Sequence, residues 1–143
     1  MKIVVDTNIL ISTLMKADGA IGTFLLRDLQ AHQKLSCYQL YVELFDKKEK
    51  ILAYTKLPES DLLELLYLVL KRIEFINEDQ ISEASWQQAD ALTRDIDVKD
   101  ISFVALTIES EATLWTGDKK LHRGLKAKGF ERVATLEELK EML

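Results

Sequence analysis

Along the chain, short runs that are apolar on both sides alternate with longer amphipathic stretches. Residues 2–6, KIVVD, place Ile3, Val4 and Val5 directly before the first acid. β-Branched residues suit a pleated surface, and a run with no polar face suits a strand covered on both sides. From Thr7 the pattern turns helical, is interrupted near Asp18 and Gly19, and continues through IGTFLLRDLQ. KLSCY reads as a second strand. QLYVELFDKKEKILAYT, residues 39–55, puts Leu40, Leu44, Ile51 and Leu52 at helical spacing and predicts one helix. Pro58 fits the first turn of the next helix, LPESDLLELLYLVLKR, where its missing N–H is not needed. RIEFI is a third strand, and ISEASWQQADALTRD and DISFVALTIESE are two further helices. TLWTGD is a fourth strand that again ends in an acid, and KKLHRGLKAKG is a basic helix closed by Gly129. A short strand at 132–134 and a helix from Thr135 complete the chain.

Strands separated by helices predict parallel pairing through right-handed crossovers. The expected fold class is α/β: a single α/β/α sandwich with a central parallel sheet of four to five strands. With no repeat, linker or low-complexity segment in 143 residues, one domain spanning 1–143 is expected. Ligands of such sheets sit beyond the carboxyl ends of the strands, where the strand order reverses. Asp6 leaves the first strand at that edge and Asp118 leaves the fourth. In a parallel sheet, Glu43 in YVELF and Asp100 at the start of DISFVAL can join them. Converging carboxylates repel and raise one another's pKa, and a cation holds them together most readily. Oxygen-only donors favour Mg²⁺ or Mn²⁺. Asp6 and Asp100 also read more simply as helix N-caps, Asp118 as a turn residue after Gly117 and Glu43 as a solvated helix residue, and capping and site roles can coexist.

Composition narrows the chemistry further. Cys37 is the single cysteine, and His32 and His122 are the only histidines. An internal disulfide, a paired-cysteine zinc site and a histidine-rich centre are therefore excluded. Cys37 reads as a small core residue, and Trp86 and Trp115 read as core. No Ser/His/Asp triad and no Gly-rich phosphate loop is apparent. No stretch approaches ~20 apolar residues, and Asp6 breaks the N-terminal apolar run, which is therefore not a signal peptide. A cytoplasmic protein without a membrane partner is expected. A net charge of −5 argues against nucleic acid as a partner. Phosphate contacts are local, however, and Lys119, Lys120 and Arg123 lie on the basic helix beside Asp118. His122 reads as a surface or phosphate contact. LLELLYLVL is apolar almost all round, which predicts a face covered by another chain.

DTNIL after an apolar strand, the Glu of VELF, the D-x-x-FVAL helix start and LWTGDKKL together resemble the PIN domain (PilT N-terminal) family, including its VapC-type toxins. The resemblance spans nearly the whole chain. It implies a Mg²⁺- or Mn²⁺-dependent endoribonuclease with Asp6, Glu43, Asp100 and Asp118 as catalytic acids. Asp6, Asp100 and Asp118 would hold the metal, with Asn8 and Thr116 as polar supports. RDIDVKD offers Asp95 and Asp97 as well for the third acid; Asp100 is preferred because it lies three residues before the FVAL run, with Asp97 next. Lys119, Lys120 and Arg123 would contact RNA. Many members carry another acid or Asn shortly after the TGD, where this chain has Lys119, Lys120 and Leu121. The resemblance further implies the toxin of a toxin–antitoxin pair, with an antitoxin protein and a second copy of the chain as partners. Two alternatives stand beside it. One is a non-catalytic RNA- or protein-binding module on a PIN scaffold. The other is an aspartyl-phosphate receiver or phosphatase, although the phosphatase pattern wants Asp where Asn8 stands.

Overall fold

Five parallel strands form a single sheet in the computed structural model, which describes residues 1–143. They are β1 (Lys2–Val5), β2 (Gln33–Cys37), β3 (Glu74–Ile76), β4 (Thr113–Trp115) and β5 (Val133–Ala134), in the order β3-β2-β1-β4-β5. This is the parallel sheet that the alternation of strand and helix predicts. β1 is central, with Val4 level with Leu35 of β2 and Leu114 of β4. Ile3, Val4 and Val5 are fully buried, which is why the strand carries no polar face.

The helices are α1 (Thr7–Met15), α2 (Ala20–Thr23), α3 (Gln39–Asp46), α4 (Lys48–Tyr54), α5 (Glu59–Leu70), α6 (Glu83–Thr93), α7 (Ile101–Ser110), α8 (Lys119–Ala127) and α9 (Leu136–Met142). The path from β1 to β3 steps one way across the sheet, and the path from β4 to β5 steps the other way. Right-handed crossovers then place the two sets of helices on opposite faces. On one face α1 packs against α3, α4 and α5; on the other α7 packs on β1, β2 and β4 and against α6. No single helix is long and apolar enough to cross a membrane.

Local details depart from the periodicity. The single helix expected over 39–55 is two, α3 and α4, joined at Lys47. The polar run DKKEK between Phe45 and Ile51 offers nothing to bury, so Leu40 and Ile51 reach the core from separate segments. The first helical stretch ends in a π-helical turn, Phe24–Asp28, in which the Leu29 N–H donates to the Phe24 carbonyl at 2.9 Å. That turn buries Phe24, whose ring meets Trp115 edge-on at 5.5 Å. Gly22 permits the approach that precedes it: a Cβ there would lie 2.4 Å from the Ala17 carbonyl oxygen. α5 buries only Leu62 and Val69, while Leu63 and Tyr67 remain 56% and 64% exposed. Its apolar character exceeds what this chain covers.

Candidate active site

The strand order reverses at β1, whose neighbour on the far side is β4. Val5 pairs with Trp115, so Asp6 and Thr116 leave the sheet side by side. Asp6 is buried and caps α1: the Ile9 N–H donates to its Oδ1 at 3.0 Å. Asp118 caps α8, with the Lys120 and Leu121 N–H groups donating to its Oδ1 at 2.9 and 3.1 Å. The capping role and the site role therefore coincide, and capping holds both carboxylates at the sheet edge through one oxygen each. Thr116 braces the second, its hydroxyl oxygen accepting the Asp118 N–H at 3.0 Å.

Asp100 differs from these two. It occupies the N-cap position of α7, yet its side chain caps nothing. Its Oδ2 is buried without a hydrogen-bond partner. Asp97, the next candidate for the third acid, is exposed and accepts the Lys99 N–H at 3.0 Å, holding the 3₁₀ turn Val98–Asp100. Glu43, half-buried on α3, accepts the Gln39 side-chain amide at 3.3 Å.

The electrostatics bind the four acids into one cluster. Burial pushes the Asp6 carboxyl up to about 6, helped by the charges of Glu43 and Asp118 and opposed by the Thr116 side chain and the Ile9 N–H. Burial pushes Asp100 up to about 7, reinforced by Asp97, Asp6, Asp118 and Glu43. None of the four takes part in an ion pair. As the side chains stand, no three of them form a closed ligand group for a metal ion. The donors nevertheless fit an oxygen-seeking cation. Asp100 offers a buried, unpartnered oxygen, and Asp6 is a second buried carboxylate. Mg²⁺ commonly takes one or two carboxylates and keeps several waters, so an open set suits it.

Asn8 is exposed, whereas Thr116 is buried within the site. Lys119, Lys120 and Arg123 are exposed on α8. A polar cavity of about 240 Å³ opens beside them, lined by Thr116, Gly117, Asp118, Lys119, His122, Arg123 and Thr135. His122 is tied down rather than free: its Nε2 lies 2.6 Å from Glu138 Oε1, which also accepts the Thr135 N–H at 2.9 Å. Cys37 is buried, and burial pushes its thiol up to about 12, so it is no nucleophile.

Glu78 escaped the sequence reading. Its two oxygens accept the Tyr38 and Gln39 N–H groups, each at 2.9 Å, so it secures the start of α3 and with it Glu43. The signal was present in EFINED, an acid just past a strand end, as with Asp6 and Asp118. Gln39, which holds Glu43, carried no comparable signal.

An open parallel α/β sheet with acids gathered where its strand order reverses defines a class of acidic-edge α/β domains. Within that class the chain belongs to the PIN domain family, whose model matches residues 4–140. Among solved structures it is similar to VapBC2 from Rickettsia felis, described bound to a DNA fragment from its promoter. The TM-score is 0.67 at 18% identity, covering 94% of this chain and 97% of that one, which is a likeness of fold. A search of curated proteins found no match.

Proposed function

We propose that this chain is a Mg²⁺- or Mn²⁺-dependent endoribonuclease that hydrolyses RNA phosphodiesters at the cluster of Asp6, Glu43, Asp100 and Asp118. The observation that carries this reading is the buried, unpartnered Oδ2 of Asp100 among three other acids at the sheet's switch point. A buried carboxylate oxygen without a partner is costly to ionise, and a bound cation would satisfy it. Asp6, Asp100 and Asp118 would hold the ion. When bound, the divalent cation supplies positive charge that acidifies water and offsets charge on the phosphodiester oxygens. Glu43 accepts no backbone N–H and is oriented by Gln39, which suits it to take the proton of the attacking water. Lys119, Lys120 and Arg123 would hold the strand through its phosphates, which positions RNA without reading its sequence.

Attack by water rather than by the ribose 2′-OH leaves 5′-phosphate and 3′-OH ends. The test incubates an RNA pool with the purified chain and Mn²⁺ or Mg²⁺, beside Asp6→Asn, and maps the ends. Cleavage lost in the variant, with 5′-phosphate products, is expected. Ends bearing 2′,3′-cyclic phosphate would overturn the mechanism, and absence of cleavage would leave a binding module.

We further propose that the chain is the toxin of a toxin–antitoxin pair and that it forms a homodimer. Membership of the PIN family and the fold shared with VapBC2 support the first. The second is supported by the uncovered α3–α5 face, where a groove of about 270 Å³ is lined by Tyr41, Phe45 and Leu63 among other apolar residues. Light scattering should give twice the 16.4 kDa chain mass. Growth arrest on expression, relieved by the product of a small adjacent gene, is the expected sign of the pair, and unimpaired growth counts against it.

A further inference from the structure

At the edge of the sheet opposite the acids, the strand starts of β2 and β3 frame a second polar cavity of about 440 Å³. Lys34, Lys71 and Arg72 line it together with His32, Gln33 and Glu74. Lys34 is 5% exposed, rare for an ammonium group. Its Nζ donates to the Leu29 carbonyl at 2.7 Å and the His32 carbonyl at 3.1 Å, two bonds for three protons. Arg72 donates one N–H to the Leu26 carbonyl at 2.8 Å, leaving most of its fork unused. None of the three cations has an ion-pair partner in a chain whose net charge is −5. The one carboxylate at the cavity, Glu74, instead accepts the Gln33 amide at 2.7 Å.

Anchoring the carbonyls around the π-helical turn explains why Lys34 and Arg72 are held, but not why three cations share a cavity with the single carboxylate of Glu74, which pairs with none of them. Burial lowers the Lys34 pKa, and the nearby charge of Arg72 lowers it further. A buried ammonium with no anion is costly. An anion in the cavity would relieve that cost, and a guanidinium fork beside an ammonium matches phosphate oxygens.

We infer that the cavity framed by Lys34, Lys71 and Arg72 is a phosphate-binding site, remote from the acidic cluster and independent of its chemistry. The phosphate belongs either to an RNA strand or to a small free molecule. The reading of the acidic cluster as a nuclease is not needed for the site to exist.

Lys34→Gln risks the fold, because Lys34 also holds the turn. The test therefore uses the exposed pair Lys71→Gln/Arg72→Gln in the full chain, in an Asp6→Asn background that prevents cleavage. Inorganic phosphate, titrated by NMR, is expected to shift the His32, Gln33, Lys34 and Ile73 resonances, and the pair should weaken that binding roughly tenfold. A single-stranded RNA oligonucleotide, titrated by fluorescence anisotropy, identifies the source. If the phosphate belongs to RNA, the pair lowers RNA affinity and reduces the slope of log K against log[salt] by roughly 1. If it belongs to a small molecule, phosphate binding falls and RNA binding is unchanged. Phosphate shifts confined to residues 117–123, or none, together with unchanged RNA affinity, overturn the inference. Loss of all RNA binding with the shifts at Lys34 intact sinks the nuclease reading and leaves this site standing.

Discussion

Replacing Asp6 by Asn removes a charge and little else. The amide keeps an oxygen for the Ile9 N–H, and Asn caps helices as well as Asp does. What disappears is a buried carboxylate whose pKa burial and its acidic neighbours raise from the ordinary 3.8 to about 6. At about 1.36 kcal/mol per pH unit, that displacement corresponds to about 3 kcal/mol. The sign follows from linkage. The folded carboxyl holds its proton more tightly than the unfolded one, so the stability is fully present below about pH 4 and is lost as pH rises through about 6. Asp6→Asn never ionises and does not suffer that loss. Without divalent ions it should exceed the wild type at pH 8 by up to about 3 kcal/mol, roughly 6–12 °C in Tm for a domain of this size. At pH 4 the two should unfold together. Urea unfolding in a chelator at both pH values reads the difference directly. Equal midpoints at pH 8, or the same gain at pH 4, would show that folding does not raise the Asp6 pKa. Adding millimolar Mn²⁺ should stabilise the wild type more than the variant, because only a ligand that binds the native state raises its stability.

Asp118 separates capping from chemistry. Asp118→Ala leaves the Lys120 and Leu121 N–H groups without an acceptor and should cost about 1 kcal/mol, whereas Asp118→Asn keeps the cap and should abolish cleavage with little change in Tm. A fully active Asp118→Asn chain would remove Asp118 from the site. Changing Lys119, Lys120 and Arg123 together to Gln should weaken RNA binding across sequences and flatten its salt dependence; an unchanged salt slope returns α8 to a solvated surface. Gly22→Ala drives a Cβ against the Ala17 carbonyl, backbone that cannot swing aside, and should destabilise by about 1–3 kcal/mol by urea titration. A neutral result there would mean that α2 shifts freely.

The legible parts of this protein are those in which a short run of residues carries its own constraint. Ile3, Val4 and Val5 announce a strand covered on both faces, and its fully buried place at the centre of the sheet follows. TLWTGD announces a strand that ends in an acid, which the structure shows to cap α8. Where no apolar residue disciplines the chain, periodicity misleads: across DKKEK nothing distinguishes one long helix from α3 and α4. The π-helical turn at Phe24–Asp28 lay equally beyond reach, since it answers to the packing of Phe24 on Trp115, 91 positions away.

The candidate site divides along the same line. The sequence by itself determined that Asp6 and Asp118 stand at strand ends, because strand periodicity and capping preference are local. It also pointed any metal site toward oxygen donors led by carboxylates, because one cysteine and two histidines cannot build a thiolate- or imidazole-rich centre. The position three residues before the FVAL run favours Asp100 over Asp97, and the tertiary structure adds a contrast in their surroundings. Both follow the same helix and both look like caps. The difference is that Lys99 engages Asp97 while Asp100 is packed inward with an unpartnered oxygen. Tertiary structure likewise recruited Glu78 to hold the start of α3, and it left Lys34, Lys71 and Arg72 around one cavity at the far edge. Such groupings depend on which distant segments the sheet order brings together. Burial and like-charge repulsion act through that space, and they cannot be read along the chain.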